Sequence, residues 1–406
     1  MKVLILGLNY APEQVGIGPY TAGMAQALAA AGHSVTVVCG QPYYPAWRVT
    51  PAYRRWRALQ GEEQGVTVIR LPLYVPRTPT GVRRILHHFS FALVALFALL
   101  VHTWRRRPDV LVAIAPSLLS VAAARVVAGL FRIRLWLHVQ DFEVAAAVAT
   151  GLLAGQGLPA RMAQQFERWC LRAHRVSSIS PQMCDRLAAC GVPPARVVEF
   201  RNWAGVEDVT PLHRPSLYRA EWAIDRPFVA LYAGTIANKQ GLEIIVATAA
   251  RLRHRRDLAF VICGEGPLRD RLEVAAAGLP NLQFRDLQPR DRLGELLGLA
   301  TVHLLPQIAG AADLLLPSKL ANMLASGRPV VTTAAPGTGL ASEVDGCGIV
   351  VPPGDDEAFA TAIEGLLDDR TQRETLGWRA RRRAEERWSR PQILDRFERQ
   401  LRDLVA

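Results

Sequence analysis

The stretch Phe228-Val-Ala-Leu-Tyr-Ala-Gly-Thr-Ile-Ala-Asn-Lys-Gln-Gly241 joins a short apolar run to a loop bounded by glycines, and the helical pattern 242–254 follows it. An apolar run of this length without alternation is typical of a parallel strand that is covered on both faces. The order of strand, glycine-bounded loop and helix is the unit from which doubly wound sheets are built. This stretch therefore predicts an α/β fold.

The same unit recurs along the whole chain in two sets. A chain of 406 residues is too long for one ordinary core, and the turn-rich stretch 202–215 separates the sets. We predict two doubly wound Rossmann-like domains, 1–205 and 206–406, that face each other across a cleft. The amphipathic tail 388–406 either finishes the second domain or crosses back to the first. The predicted strands are 3–8, 34–39, 66–71, 109–115, 133–139, 175–180, 196–201, 228–233, 258–263, 281–285, 301–306, 329–333 and 348–351.

Positive charge is concentrated in the first half of the chain. Residues 1–200 contain 21 Lys and Arg against 9 Asp and Glu, so the whole net charge of +12 belongs to this half. The imbalance predicts an anionic partner for the first domain. Its arginines form short clusters without interleaved aromatic residues, which argues against nucleic acid and favours anionic lipid. The six scattered cysteines predict free thiols in a reducing compartment, and no metal site is expected.

An apolar segment, Phe89–Val101, lies within the basic stretch 83–107. Thirteen residues form a helix of roughly 20 Å, which is too short for a hydrocarbon core of about 30 Å. Arginines, histidines and Trp104 at its ends suit a helix that lies in the membrane interface. A buried helix packed on the sheet is the equally weighted alternative.

Lysine is scarce, and two of the three lysines follow predicted strands of the second half. The chain has 48 basic residues, of which only Lys2, Lys239 and Lys319 are lysine. A compact ammonium suits a crowded diphosphate better than the wide guanidinium of arginine does. Chance in an arginine-rich composition is the alternative. We predict that Lys239 and Lys319 bind a diphosphate.

Glycine-containing loops follow three of the predicted strands. Gly16 and Gly18 precede the first helix, where the backbone can approach a ligand closely. Gly234 begins a similar loop, and in Cys263-Gly-Glu-Gly-Pro267 the carboxylate of Glu265 could orient a base or a ribose. Each loop alone is equally consistent with a plain turn. Together with the two lysines, the loops of the second half predict one ligand site.

Motifs along nearly the whole chain carry a resemblance to a known family. They are Asn9-Tyr-Ala-Pro-Glu13 with Gly16-Ile-Gly18, Gln41-Pro-Tyr-Tyr-Pro45, Leu73-Tyr-Val-Pro76, His138-Val-Gln-Asp-Phe-Glu143, Lys239-Gln-Gly-Leu242 and Pro317-Ser-Lys-Leu320 with Asn322-Met-Leu-Ala325. With these motifs the chain resembles a family 4 glycosyltransferase of the GT-B fold. The resemblance implies a nucleotide sugar on the second domain and an acceptor on the first.

The resemblance also implies a set of donor-binding residues, and neither a metal nor another cofactor. Lys239 and Lys319 would neutralise the diphosphate as the bond to the leaving group breaks. The sequence departs from the family at Thr235, where arginine is commonest, and at Asn322, which replaces the second glutamate of an E-x7-E pattern. The implied donor-binding residues are Gly16, Gly18, Gly234, Thr235, Lys239, Glu265, Asp313, Ser318, Lys319 and Asn322.

The segment His138-Val-Gln-Asp141 ends an apolar strand, so its polar side chains are expected to point into the cleft. A neutral His138 could bond the donor sugar or polarise the acceptor, and Asp141 or Glu143 could orient the acceptor hydroxyl. A hydrogen-bonded structural histidine is the alternative. We predict catalytic roles for His138 and Asp141.

The resemblance implies a retaining, metal-independent glycosyltransferase of exopolysaccharide biosynthesis. The expected reaction moves a sugar, fucose from GDP-fucose, to a lipid-diphosphate-linked oligosaccharide. The basic first domain and segment 83–107 then predict a cytoplasmic enzyme that is peripheral on the inner face of the plasma membrane. Two alternatives stay open, a UDP-N-acetylglucosamine 2-epimerase of the same fold and a non-catalytic nucleotide-sugar-binding membrane scaffold.

Overall fold

A computed structural model of the chain describes residues 1–13, 16–78, 81–144, 157–236, 240–308 and 319–406. These residues form two compact units. The first unit consists of Met1–Asn202 and Leu394–Ala406, and the second consists of Trp203–Ile393. The boundary thus lies slightly before the expected position at 205, and the end of the chain belongs to the first unit.

An eight-stranded sheet forms the centre of the first unit. Its strands are β1 (Lys2–Gly7), β2 (Ser34–Gly40), β3 (Leu59–Glu63), β4 (Val66–Leu71), β5 (Val110–Ala115), β6 (Arg134–Val139), β7 (Arg175–Ser178) and β8 (Val197–Glu199). Their order across the sheet is β3-β4-β2-β1-β5-β6-β7-β8, and only the pair β3–β4 is antiparallel. β5 is buried at every position, because helices cover both faces of a parallel sheet.

Five helices of more than one turn accompany this sheet in the described part of the chain before residue 203. They are α1 (Gly18–Ala30), α2 (Gly81–Arg106), α3 (Leu118–Phe131), α4 (Leu158–Cys170) and α5 (Pro181–Ala189). Single 3₁₀ turns lie at Pro51–Tyr53 and Pro194–Arg196. Ser180 caps α5, since its hydroxyl accepts a hydrogen bond from the Met183 amide.

Helix α2 has two faces of different character. On its inner face Phe91, Ala95 and Leu99 are fully buried in the core of the first unit. Its outer face exposes a stripe of apolar side chains that runs from Val82 to Trp104. Among the described residues α2 is the one helix long and apolar enough to cross a membrane by length and composition. The helix therefore packs on the sheet and still presents an apolar surface.

A six-stranded, fully parallel sheet forms the centre of the second unit, in the order β11-β10-β9-β12-β13-β14. Its strands are β9 (Phe228–Ala233), β10 (Leu258–Cys263), β11 (Leu282–Arg285), β12 (Val302–Leu305), β13 (Val330–Thr333) and β14 (Gly348–Val351). The described helices of this unit are α6 (Tyr218–Glu221), α7 (Glu243–Arg251), α8 (Arg269–Ala275), α9 (Leu293–Gly298), α10 (Lys319–Ala325), α11 (Gly339–Val344), α12 (Asp356–Asp368) and α13 (Arg370–Trp388), with a 3₁₀ turn at Arg290–Arg292.

The last helix, α14 (Arg390–Val405), starts in the second unit and ends in the first. Its Phe397 is 1% exposed and stacks on Phe200 with the ring centres 4.4 Å apart. The same ring meets Trp136 edge-on at 5.0 Å. Oε1 of the next residue, Glu398, lies 2.8 Å from Nε2 of His33. These contacts fix the end of α14 on the first unit.

We predict that Phe397→Ala destabilises the first unit by about 3–5 kcal/mol, because it opens a cavity between two aromatic rings. Urea unfolding followed by tryptophan fluorescence measures this change. Trp378→Ala is the control, since Trp378 is 61% exposed and its removal is expected to change stability by less than about 0.5 kcal/mol. Equal unfolding midpoints for the two variants would contradict the packing described for α14.

Candidate functional site

Two loops at the carboxyl ends of β9 and β10 are interlocked through their backbones. The amide of Gly234 donates to the Cys263 carbonyl at 2.9 Å, and the amide of Ile236 donates to the Glu265 carbonyl at 2.8 Å. A Cβ atom on Gly264 would lie 1.9 Å from the Gly234 oxygen. A Cβ on Gly266 would lie 2.1 Å from the Ile236 oxygen. Glycine is therefore required at both positions, because any larger residue would separate the loops.

Lys319 packs onto this pair of loops. Its Nζ donates to the Tyr232 hydroxyl at 2.7 Å and lies 4.0 Å from the centre of the Tyr232 ring. That hydroxyl in turn donates to the Thr235 carbonyl at 2.6 Å. A Cβ on Gly234 would lie 3.2 Å from Nζ, so the missing side chain makes room for the lysine. The structure thus brings together Gly234, Thr235 and Lys319, three of the residues predicted to bind the donor.

Buried amide oxygens surround the same strand ends without hydrogen-bond partners among the described residues. They are Oε1 of Gln240, Oε1 of Gln307 and Oδ1 of Asn322. Gly241 touches the backbone at Gln307, with its Cβ position 3.6 Å from the Gln307 carbonyl carbon. An unpaired buried acceptor costs free energy, and the hydroxyl groups of a sugar or a ribose are donors that could satisfy it. Gln307 was not predicted, and its position directly after β12 is the signal that could have identified it.

The remaining predicted donor residues fall into two groups. Glu265 and Thr235 are exposed, which leaves both side chains accessible at the edge of the sheet. Lys239, Asp313 and Ser318 lie outside the described residues, so their roles stay predictions. Among the residues that the structure describes, no three His, Cys, Asp or Glu side chains are grouped as a metal site requires.

In the first unit, Glu13 connects the loops that follow β1 and β2. Its Oε1 accepts hydrogen bonds from the Tyr43 and Tyr44 amides at 2.9 Å each, and Oε2 accepts one from the Asn9 side chain at 2.8 Å. Burial raises the pKa of this carboxyl, and the three donors oppose the shift. Gly18 begins α1 directly beside it, with its Cβ position 3.2 Å from the Glu13 carbonyl oxygen.

Gly16 lies in the same loop with φ of +71°, a conformation that favours glycine. A Cβ on Gly16 would meet the Tyr44 ring at 3.3 Å. Gly16 and Gly18 are therefore required by the local backbone. Their predicted contact with the donor is an additional role that stays a prediction.

His138 is an interior residue rather than one that points out from the strand end. Its side chain is nearly inaccessible, and burial lowers its pKa to about 3, so the ring is neutral. Both ring nitrogens are occupied, Nδ1 by the Ser177 hydroxyl at 2.9 Å and Nε2 by the Gln140 amide nitrogen at 3.0 Å. Since the Gln140 amide donates, this network assigns the ring hydrogen to Nδ1. The structure therefore does not place His138 on an open surface, and its catalytic role stays a prediction.

Asp141 is exposed, and its Oδ1 accepts a hydrogen bond from the neighbouring Phe142 amide at 2.8 Å. The structure does not join it with His138 in a catalytic pair. His138 stays hydrogen-bonded inside the unit, while Asp141 lies on its surface. Their different positions follow from the chain path, because His138 lies within β6, which is buried on both faces, whereas Asp141 lies two residues beyond its end.

Glu143 follows the end of β6 and contacts both α3 and α2. Its Oε2 accepts a hydrogen bond from the Leu118 amide at the start of α3 at 2.8 Å. Its Oε1 lies 3.4 Å from Nδ1 of His88, on the inner face of α2. Burial raises the pKa of Glu143 to about 7, while the Leu118 hydrogen bond and the charge of Arg84 oppose the shift. The side chain is still 37% exposed, so a ligand can reach it.

Two consecutive histidines of α2 have buried nitrogens without a hydrogen-bond partner among the described residues, Nε2 of His87 and Nδ1 of His88. Nδ1 of His87 contacts the Tyr74 carbonyl at 2.5 Å, and its Nε2 has no partner among the described residues. The His87 ring packs on Tyr43 at 4.6 Å between ring centres. Burial, with the nearby charge of Arg84, lowers the pKa of His88 to about 4. The carboxyl edge of the first sheet therefore combines a carboxyl group whose pKa is about 7 with two neutral histidines.

Comparison with known proteins covers both units. A family model described as a glycosyl transferase 4-like domain matches residues 15–203, and one described as glycosyl transferases group 1 matches residues 227–369. The putative colanic acid biosynthesis glycosyl transferase WcaI of Escherichia coli (strain K12) is 40% identical over 379 residues, covering 90% of this chain and 92% of the relative. The chain belongs to the family 4 glycosyltransferases. In this glycosyltransferase the first family model lies in the first compact unit, apart from its last residue, and the second lies within the second unit.

Solved structures match the glycosyltransferase over its whole length. Sucrose-phosphate synthase from Thermosynechococcus elongatus is 19% identical with a TM-score of 0.71, and the match covers 99% of this chain and 98% of that one. The Anabaena protein HepE in complex with UDP is 13% identical with a TM-score of 0.68, covering 99% and 100%. At these identities the likeness concerns the fold alone. The enzyme has the GT-B fold, with two Rossmann-like domains.

We predict that Gly266→Ala disrupts the interlocked loops, because its Cβ would overlap the Ile236 carbonyl and its φ is +153°. The unfolding free energy of the second unit is expected to fall by more than about 3 kcal/mol. Gly278→Ala is the matched control, since Gly278 has φ of +85° and no atom within 4 Å of its Cβ position. In the control the unfolding free energy should fall by only about 1 kcal/mol, the cost of placing a residue with a Cβ in a left-handed conformation. Urea unfolding measures both, and equal losses would refute the backbone contact.

Proposed function

We propose that this glycosyltransferase moves a sugar from a nucleotide sugar to a lipid-diphosphate-linked oligosaccharide during synthesis of a colanic-acid-like exopolysaccharide. The pathway is supported by the name of the relative WcaI, and nucleotide binding by the UDP complex of HepE. Family membership also favours transfer over the 2-epimerase and scaffold alternatives. The observation that carries the proposal is the position of Lys319 on the glycine loops of the second unit.

Lys319 would bind the donor diphosphate. Its ammonium has three hydrogens, so it can keep its bond to Tyr232 while it donates to phosphate oxygens. The interlocked glycines carry no side chains, which leaves room beside Lys319 for a bulky diphosphate. The buried oxygens of Gln240, Gln307 and Asn322 would then accept hydrogen bonds from the sugar or the ribose. We expect Lys239 and Ser318 to add to the phosphate contacts.

We propose a retaining reaction that proceeds without a metal ion. The bond from the anomeric carbon to the diphosphate oxygen breaks as the acceptor oxygen attacks the same face. The departing diphosphate takes the acceptor proton. The main catalytic contribution is therefore the neutralisation of the diphosphate charge by lysine. The proposed donor is GDP-fucose, from which fucose is transferred, as the resemblance to this family implies. A neutral His138 then acts by holding the end of β6 in position.

The acceptor hydroxyl would bind at Glu143. Its carboxylate is anchored by the Leu118 amide and lies beside His88. A carboxylate in this position can accept a hydrogen bond from the attacking hydroxyl and orient it. Asp141, which is exposed, is the second candidate for the same task.

The outer face of α2 would place the first unit on the inner face of the plasma membrane. Phe89, Phe97 and Trp104 are exposed along this face. Arg83 and Arg84 lie at the start of the stripe, and Arg105–Arg107 follow it. An apolar stripe with arginine at both ends suits a helix that lies in the interface of an anionic bilayer. A lipid-linked acceptor would then reach the carboxyl edge of the first sheet, where His87 and His88 of α2 lie.

Thermal melting with GDP-, UDP- and dTDP-sugars tests the donor site. A bound donor at 100 times its Kd is expected to stabilise the protein by about 2.7 kcal/mol. Lys319→Met should weaken binding at least tenfold, because it removes a charge-assisted contact to phosphate. Lys2→Met is the matched control, since the Lys2 ammonium donates to the Arg106 carbonyl in the first unit, away from the donor site. No shift with any nucleotide sugar would refute the proposal, and turnover without an acceptor would favour the epimerase.

Glu143→Gln is expected to lower the transfer rate by roughly 10²-fold, because the amide orients the hydroxyl less well than the carboxylate. The wild-type rate should rise as Glu143 ionises with increasing pH through about 7, and level off above that. The variant should lose this limb of the pH profile. Asp141→Asn is the control and should keep it. The opposite result would transfer the orienting role to Asp141.

A further inference from the structure

A groove lined by arginines runs along the amino ends of β6, β7 and β8 in the first unit. It consists of three adjoining cavities of about 410, 350 and 780 Å³. Arg172 lines all three cavities, Arg134 lines two, and Arg196 lines two. The groove lies at the opposite edge of the sheet from Glu13 and Glu143, so it is separate from the proposed acceptor site.

Positive charge dominates the walls of this arginine groove. Arg134, Arg172 and Arg196 form no ion pair within 4 Å with any carboxylate that the structure describes, and Asp403 is the one described acidic residue on the walls. The charges of Arg134 and Arg196 act with burial to lower the pKa of His174. Clustered like charges repel each other, so an anion that binds here is stabilised. Further basic residues on the walls are Arg125, Arg132, Arg168 and Arg175.

Some donors of the groove are fixed by the surrounding structure. Arg125 packs over the Trp169 ring at 4.6 Å and donates to the Trp169 and Arg172 carbonyls at 2.6 Å each. Nδ1 of His174 accepts a hydrogen bond from the Leu135 amide at 3.0 Å. The hydrogen of this ring is therefore on Nε2, which is a donor. The position of this donor is set by the backbone of β6, which reduces the ordering cost of binding a phosphate beside the exposed arginines.

One wall of the groove is apolar and exposed. Val126 and Leu130 of α3 line the largest cavity, and their exposed fractions are 49% and 67%. α3 packs between α2 and α4, and these three helices carry twelve of the twenty large apolar residues exposed in the described chain. The groove therefore borders an apolar helix layer. A ligand that joins a phosphate to an apolar chain would match both surfaces.

We propose that the arginine groove binds the headgroup of an anionic phospholipid. The phosphate would lie among Arg134, Arg172 and Arg196, with an acyl chain against Val126 and Leu130. The proposal rests on the membrane association proposed above, but it does not depend on sugar transfer. The groove would give the enzyme a preference for anionic over zwitterionic lipid, beyond the general attraction of its charge.

Melting of the full chain with short-chain lipids tests this proposal. Dihexanoyl phosphatidylglycerol is expected to raise Tm, whereas dihexanoyl phosphatidylcholine and inorganic phosphate are not. Arg134→Gln/Arg172→Gln/Arg196→Gln should weaken phosphatidylglycerol binding about a hundredfold, since each arginine near an anionic headgroup contributes roughly fivefold. The three side chains are exposed at the groove, so the variant is expected to fold. Arg253→Gln/Arg271→Gln/Arg379→Gln removes the same charge from the second unit and should bind like wild type.

Sedimentation with vesicles separates the groove from α2. Phe89→Ser/Phe97→Ser should lose binding to all vesicles and keep the Tm shift with dihexanoyl phosphatidylglycerol. The groove variant should keep binding to phosphatidylcholine vesicles, and its gain on added phosphatidylglycerol should fall below that of its charge-matched control. Equal shifts with both short-chain lipids, or with inorganic phosphate, would overturn the proposal. So would a groove variant that behaves like its charge-matched control. None of these readouts involves sugar transfer, so a failed transferase assay leaves them interpretable.

Discussion

The proposed donor site depends on the direct backbone contact between the loops that follow β9 and β10. Three glycines let the two loops run side by side. Any Cβ at Gly264 or Gly266 would overlap a carbonyl oxygen of the other loop. This contact leaves space for the Lys319 side chain, which packs against Gly234. The site is thus created by the absence of side chains in one place and by a single long side chain in the next.

In the first unit, neighbouring loops at the carboxyl edge of the sheet are joined by a side chain instead of by direct backbone contact. There the loops after β1 and β2 are joined by Glu13, whose carboxylate accepts from both sides. A buried carboxylate that receives three donors is well compensated, because its hydrogen-bonding capacity is nearly filled. The aromatic loop with Tyr43 and Tyr44 is held beside the start of α1 as a result. Both units therefore have a rigid carboxyl edge, reached by different chemistry.

The strands could be predicted from the sequence because near-continuous apolar runs specify parallel strands that are covered on both faces. β3 could not, since Leu59–Glu63 is mostly polar and is held only by its antiparallel pairing with β4. The glycine loops and Lys319 were found because their residue types are unusual. The direction of His138, and the meeting of Glu143 with His88, depend on packing between elements distant in sequence, which spacing does not encode.

Helix α2 contributes both to the core of the first unit and to its apolar surface. Phe91, Ala95 and Leu99 on one side complete the interior of the first unit. In the proposed membrane association, the helix would therefore not move deeper into lipid without unfolding the sheet it covers, and only its outer row of side chains would be immersed. Such an enzyme would leave the bilayer intact, return to it, and so serve many carrier molecules in turn. Its residence time would then be set by lipid composition rather than by insertion.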